Sequence, residues 1–246
     1  MRELNETIDG TIKVLEDMKR TGVTHVEVSN KTIEELGKPV ALVPRTIGTT
    51  ATIAGDPAAE LAAVEARAKA CVKCAELSRC RHSVVFGAGS SHAEIMFVGE
   101  APGHDEDLQG MPFVGRSGDL LTKIIAAMGY VREDVYIANV IKCRPPENRT
   151  PLPDEATNCL PYLLSQIELI QPKVLVALGA TAVRALLDVH LGITKMRGHW
   201  YTFRGIPIMP TFHPAYLLRN PPAKKEVWED MKAVLEKLGR EVPKSR

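Results

Sequence analysis

Glu94-Ile95-Met96-Phe97-Val98-Gly99-Glu100-Ala101-Pro102-Gly103 decides the fold class. Residues 94–98 form a short apolar run that closes on a turn rich in Gly and Pro, which predicts a strand feeding a loop. The same pattern recurs three times downstream. Residues 135–139 end at Asn139, residues 174–178 run into Gly179-Ala180, and residues 207–211 run into Phe212-His213-Pro214. A further run at 200–203 is expected to pair antiparallel with the last strand across Arg204-Gly205. Helical patterns fall between the strands. One is N-capped by Ser117, carries Leu120, Leu121, Ile124, Ile125 and Met128 on one face, and stops at Gly129. Others are expected at 154–170, 181–187 and 224–238. From residue 83 onward, β-branched runs alternating with helices predict an α/β domain with a central four-stranded, mainly parallel sheet.

In a parallel sheet the carboxyl ends of the strands share one edge, and ligands of open α/β sheets bind in the crevice there. The Gly99–Gly103 turn, the loop after Asn139, the Gly179-Ala180 turn and the Phe212-His213-Pro214 turn all follow such ends. Four loops far apart in sequence are therefore expected to converge on one site.

Upstream of this domain the pattern differs. Leu4, Ile8, Ile12, Leu15 and Met18 recur at spacings of three and four, which predicts an amphipathic helix over 4–20. A short strand is expected at 25–28, and the aperiodic stretch 39–57, rich in Thr, Gly, Ala and Pro, reads as a linker. The expected division is an N-terminal extension over 1–65 and a main domain over 66–246. Seven basic and eleven acidic residues give the first part a formal charge of −4, while the second carries +5 against a total of +1. The main domain can therefore meet phosphates without being a strongly basic nucleic-acid binder. No run of eighteen apolar residues occurs, and acidic residues stand at the N-terminus where a signal or transit peptide carries basic ones, so a soluble, cytoplasmic, non-membrane protein is expected.

Five cysteines make a poor disulfide framework, because the count is odd. Cys71 and Cys74 form C-x2-C, and Cys143 and Cys159 form a second, wider pair. Four thiolates from two separated pairs can surround either a tetrahedral zinc ion or a cubane iron–sulfur cluster, and spacing does not choose between them. Cys80 is left over.

GEAPG, PFVG, NVIKCRPPENR, the helix with Cys159, LGATA and HPAYLLRN follow one another in an order and spacing that resembles the iron–sulfur, family 4 uracil-DNA glycosylases. The resemblance covers about residues 71–238. It implies a three-layer α/β/α sandwich and hydrolysis of the bond between uracil and deoxyribose in single- or double-stranded DNA, leaving an abasic site for base excision repair. It also implies a 4Fe-4S cluster on Cys71, Cys74, Cys143 and Cys159, with a structural role. Such an enzyme takes its base flipped out of the stack.

By the same resemblance Phe113 stacks on the uracil and Asn139 reads its edge, since an amide offers both a donor and an acceptor. His213 donates to the base as negative charge develops, and Glu100, aided by Asn148, positions water or balances positive charge on the sugar. Gly99 and Ala101 complete the base site, and backbone amides of 99–103 can face uracil or phosphate. Leu217, Leu218 and Arg219 resemble the segment that enters the DNA, and the helix start at 115–118, with Arg116 and Lys123, suits a phosphate. Ala101 and Gly103 stand where family 1 enzymes carry an aspartate and a tyrosine, and both suit family 4. A related covalent-trapping class carries a histidine in an inserted loop. Residues 148–153 have none, so turnover is expected. A monomer is expected, with a repair or replication partner for residues 1–65. A non-catalytic iron–sulfur or zinc DNA-binding module would keep the cysteines and the basic loops but need neither Glu100 nor His213. An electron-transfer protein would leave the pocket unexplained.

Overall fold

The computed structural model describes residues 56–189 and 191–243. The helix expected at 4–20, the strand at 25–28 and nearly all of the linker lie outside the described residues. In chain order the elements are α1 (Pro57–Lys69), α2 (Ala75–Cys80), β1 (Ala88–Gly89), β2 (Ile95–Gly99), α3 (His104–Gln109), α4 (Arg116–Ala127), β3 (Tyr136–Asn139), α5 (Pro153–Ile170), β4 (Val174–Leu178), α6 (Ala180–Leu187), α7 (Ile193–Met196), β5 (Tyr201–Phe203), β6 (Ile206–Thr211), α8 (Pro214–Arg219) and α9 (Lys224–Lys237).

The strands form one sheet in the order β1-β3-β2-β4-β6-β5. The inner four are parallel, and β1 and β5 close the two edges antiparallel. The four expected strands are thus the parallel centre of a six-stranded sheet. β5 pairs with β6 as expected, through a two-residue turn in which Arg204 (φ 48°) and Gly205 (φ 84°) both adopt left-handed conformations, the turn whose twist matches a hairpin. β1 escaped sequence reading because two residues carry no periodicity.

Alternation along the strands divides the core into two layers. Met96, Val98, Ala138, Leu175, Ala177 and Ile208 face α1, α5 and α6. Ile95, Phe97, Ile137, Val174, Val176 and Met209 face α4 and α9. The result is an α/β/α sandwich. β2 and β4 are neighbours, while the chain leaves β2 first toward β3 and returns to the other side for β4. Their carboxyl ends therefore form the topological switch point where open sheets bind ligands.

Two boundaries differ from expectation. α1 is capped by the Asp56 side chain, which accepts from the Ala58 amide at 3.1 Å, and buries Leu61, Val64 and Ala68 in the layer shared with α5. It runs unbroken through the expected division at 65/66, so the folded unit includes residues upstream of that point. α4 begins at Arg116 after the N-cap Gly115, two residues before the expected cap Ser117. The approach to it is fixed from a distance: the Glu106 carboxylate accepts from the amides of Val114 (3.0 Å) and Gly115 (2.9 Å), and the Gly115 carbonyl accepts from the Gly118 and Asp119 amides.

Candidate active site

A cavity of about 210 Å³ opens at the carboxyl edge of the sheet, lined by Glu100, Ala101, Phe113, Asn139, Asn148 and His213 among others. It is small beside the ~300 to 1,000 Å³ of drug-sized ligand sites, and suits a single base. Five side chains assigned from sequence to the base and its hydrolysis (Glu100, Phe113, Asn139, Asn148 and His213) meet here, from the end of β3 and the loops after β2, α3, β3 and β6.

Asn139 ends β3. Its side chain is 2% exposed and its Oδ1 has no hydrogen-bond partner. An orphaned buried acceptor is costly unless something binds to it, so this atom marks the place where a ligand donor belongs. The Asn139 backbone is held from behind: the buried Lys142 Nζ donates to its carbonyl at 2.8 Å and to Gln166 Oε1 at 2.6 Å. Gln166 in turn donates to the Phe86 carbonyl and to the Tyr136 hydroxyl. Burial pushes the Lys142 ammonium down to about 7. Gly99, paired in register with Asn139, leaves room for this arrangement: a Cβ there would lie 2.4 Å from Asn139 Oδ1 and 2.5 Å from the Phe113 ring.

His213 follows β6, whose end is tied down by the Thr211 hydroxyl donating to Asp230 (2.6 Å), itself paired with Arg197. Burial, with the Arg219 charge acting in the same direction, pushes the imidazole down to about 4 against a weaker opposing effect of Glu106. The ring is neutral at pH 7. Its Nδ1 accepts from the Ala215 amide at 3.1 Å, so the proton resides on Nε2, which is free to donate. The ring centroids of Phe113 and His213 are 5.6 Å apart, tilted by 33°. Gly179, at the end of β4 with φ 90°, permits the close approach, since its Cβ would lie 3.2 Å from that of His213.

Glu100 follows β2, and its Oε2 accepts from the Thr181 hydroxyl in the first turn of α6. This contact spans the switch point and leaves the second carboxylate oxygen for the cavity. Asn148 is exposed at the rim in a left-handed conformation (φ 55°), with its Oδ1 accepting from Arg144 Nε at 2.8 Å and its amide NH2 left to donate.

Three expectations change. Leu217 is 0% exposed and packs in the core with α4 and α9, so it does not reach DNA; Leu218 and Tyr216, each 38% exposed, present the apolar surface of α8. Arg219 and Arg116 are exposed as expected. The helix start at 115–118 is a poorer anion site than expected, because Glu106 takes the Gly115 amide and the Gly118 amide donates to the Gly115 carbonyl. The Gly103 amide is likewise taken by Glu106 Oε2 at 3.1 Å, so it does not face a ligand. Sequence reading also missed Thr181, Arg132 and the capping role of Glu106. The three-residue spacing from Gly103 to Glu106 was a signal for the last, being that of a capping box; nothing in the sequence marked Arg132.

Cys71, Cys74, Cys143 and Cys159 line a second cavity with Arg81 and Asn158, while Cys80 is exposed and outside it. Three sulfurs accept N–H donors: Cys143 from Arg81 (3.1 Å), Cys159 from the Lys142 amide (3.2 Å) and Cys74 from Asn158 (3.8 Å). Such donors suit thiolates. Burial first, and then the neighbouring thiols, raise Cys74, Cys143 and Cys159, the last to about 11, so a positive centre is what would hold them ionised. Among the described residues, no three Cys, His, Asp or Glu side chains are grouped to hold a metal ion. No described helix is long and apolar enough to cross a membrane.

Residues 86–232 match the model of the uracil DNA glycosylase superfamily. The chain is 52% identical over 161 residues to the type-4 uracil-DNA glycosylase of Thermotoga maritima, covering 64% of this chain and 82% of that protein. It is 46% identical over 177 residues to the type-4 enzyme of Saccharolobus solfataricus (68% and 82%) and 42% over 181 residues to that of Archaeoglobus fulgidus (70% and 90%).

Proposed function

The chain belongs to the uracil-DNA glycosylase superfamily, with the type-4 enzymes, and from that premise we propose how it hydrolyses the N-glycosidic bond of deoxyuridine in DNA repair. The observation that carries the residue assignment is the unpartnered, buried Asn139 Oδ1 in a base-sized cavity. The N3–H of a flipped uracil donates to that oxygen, and the Asn139 amide donates to uracil O4. Cytosine, with an amino group at that edge and no N3–H, offends both contacts. Phe113 forms the stacking surface that replaces the neighbouring base.

Bond breaking moves negative charge onto uracil O2 and positive charge onto the sugar. The neutral His213 donates through Nε2–H to O2, which stabilises the leaving base without a prior proton transfer. Glu100, anchored by Thr181, faces the sugar with its free oxygen, where it orients water toward C1′ and balances the oxocarbenium charge. The Asn148 amide shares that water. Leu218 enters the stack vacated by the uracil while Arg116 and Arg219 meet phosphates.

Cys71, Cys74, Cys143 and Cys159 are assigned to a 4Fe-4S cluster. The four cysteines line one cavity and four thiolates are the ligand set of such a cluster, and the likeness to the type-4 enzymes favours it over a zinc ion on the same thiolates. When bound, the cluster supplies a structural cross-link. Through the Lys142 amide and side chain, Cys159 is then tied to the backbone of Asn139. The reading extends to a monomer as the acting unit in the cytoplasm, where a reducing environment keeps thiols available to a cluster. Asp56 caps α1 and is kept; deletion of residues 1–55 tests whether the extension recruits a repair or replication partner, by loss of that partner in a pull-down.

The direct test uses a labelled single-stranded oligonucleotide with one uracil and a thymine control, read as alkali-sensitive scission. Scission at uracil alone is expected. No scission by protein with a verified cluster would refute the reading, and a denaturant-resistant protein–DNA band would refute turnover.

A further inference from the structure

We propose that Arg132, outside every motif of the active site, is the residue that positions Phe113 as a rigid stacking surface for the base. The proposal rests on the reading of Phe113 given above. Phe113 adopts φ 54°, a left-handed conformation that an aromatic L-residue rarely takes without compensation. Two contacts hold it there. Arg132 Nη1 donates to the Phe113 carbonyl at 3.0 Å and Nη2 donates to the Pro112 carbonyl at 2.7 Å, so one guanidinium clamps both ends of the Pro112–Phe113 peptide segment. The same Nη1 reaches the Thr122 hydroxyl at 3.0 Å, and Thr122 donates to the Gly118 carbonyl at 3.0 Å.

Gly118 completes the device. A Cβ on it would lie 1.9 Å from the Phe113 carbonyl oxygen and 2.1 Å from its carbonyl carbon. Only glycine lets the first turn of α4 pass this close to the Phe113 backbone. The ring is thereby fixed from two sides: the backbone by Arg132 and Gly118, the edge by Gly99, whose hydrogen faces the ring where any methyl would collide. The planar, five-donor guanidinium suits this task better than a lysine, because it serves three acceptors at once from a partly buried position. A stacking surface fixed before the base arrives needs no ordering on binding, which is the gain that preorganisation brings.

The test compares wild type, Arg132→Met, Arg132→Lys, Phe113→Ala and the double variant Arg132→Met/Phe113→Ala. Single-turnover excision, inhibition by free uracil, the pH profile of excision and the melting point are read for each. Phe113→Ala should weaken uracil inhibition and slow excision by about 5- to 150-fold, the range of one stacked base. Arg132→Met should do the same to an equal or smaller extent, with the pH profile unchanged, because His213 and Glu100 are untouched. Arg132→Lys should recover part of the loss. In the double variant, Arg132→Met should add little to Phe113→Ala. A lowered melting point with uracil inhibition intact, or losses that multiply in full, would overturn the proposal and leave Phe113 as assigned. If Phe113→Ala itself leaves uracil inhibition and excision unchanged, the stacking reading falls and the proposal with it.

Discussion

Replacing Gly99 by alanine tests the site at its tightest point. Gly99 has an ordinary strand conformation, so the substitution introduces no backbone strain; its effect comes from space alone. The new Cβ would sit 2.4 Å from Asn139 Oδ1 and 2.5 and 2.8 Å from two atoms of the Phe113 ring, against ordinary contact from 3.4 Å upward. At least one of the two side chains must therefore retreat by about 1 Å from where its backbone holds it. Asn139 is held by the β2–β3 register and by Lys142, and Phe113 by Arg132 and Gly118. Misplacement by about 1 Å costs on the order of a hundredfold in rate when a reacting group is held out of line. Overpacking a buried site costs about 1 to 3 kcal/mol of stability. In a domain of this size that lowers the melting point by about 2 to 12 °C. Single-turnover excision of uracil from a single-stranded oligonucleotide, measured well below the variant's melting point, should fall about a hundredfold, with uracil inhibition weakened in parallel. A Gly99→Ala protein that folds and excises at the wild-type rate would show that Asn139 and Phe113 do not jointly grip the base.

Other substitutions separate the remaining roles. His213→Ala should slow excision about a hundred- to a thousandfold, the usual loss of a preorganised donor, and an unchanged single-turnover rate would sink the assignment. The same residue should leave a mark on stability. Its imidazole is held down to about 4 in the fold against 6.5 when unperturbed, so acid protonates the unfolded chain first. The stability tied to neutral His213 is whole above about pH 6.5 and is lost as pH falls toward 4, by up to about 3 kcal/mol; denaturation midpoints of wild type and His213→Gln should converge over that interval, and parallel curves would contradict it. Thr181→Val should lower the excision rate about tenfold or more by releasing Glu100, the worth of a hydrogen bond to a charged group; uracil inhibition should hold, and Thr181→Ser should restore the rate. Cys143→Ser should lose iron and thermal stability together, while Cys80→Ser keeps both; iron retained in Cys143→Ser would refute the ligand set.

The fold was legible because its signals are local and repeated. The apolar runs at β2, β3, β4 and β6 each end on a loop-forming residue, and the apolar face of α4 repeats at helical spacing, so element type follows from periods of two and 3.6. Where local signals thin out, the reading failed. β1 is two residues long, and its pairing with β3 is written in the partner strand rather than in Ala88-Gly89. The start of α4 moved because the Glu106 carboxylate, which belongs to another helix, holds the Val114 and Gly115 amides that lead into it. α1 crosses the expected domain boundary because Leu61, Val64 and Ala68 find their partners in the core beside α5, about a hundred residues downstream.

The site divides along the same physical line. The groups proposed to meet the substrate, Glu100, Asn139 and His213, stand at strand ends where a site was expected, while their individual roles came from the resemblance to the family 4 enzymes. Groups that hold them are chosen for reach and geometry, which any of several residue types could supply from anywhere in the chain. Thr181, Lys142 and Arg132 act through a carboxylate, a backbone carbonyl and a pair of carbonyls, and only coordinates reveal which. Leu217 and Leu218 make the point within one dipeptide: on an α-helix, adjacent residues point about 100° apart, so of two identical side chains one lies in the core and the other is exposed. Sequence identity assigned the pair to one role, and helix geometry separates them.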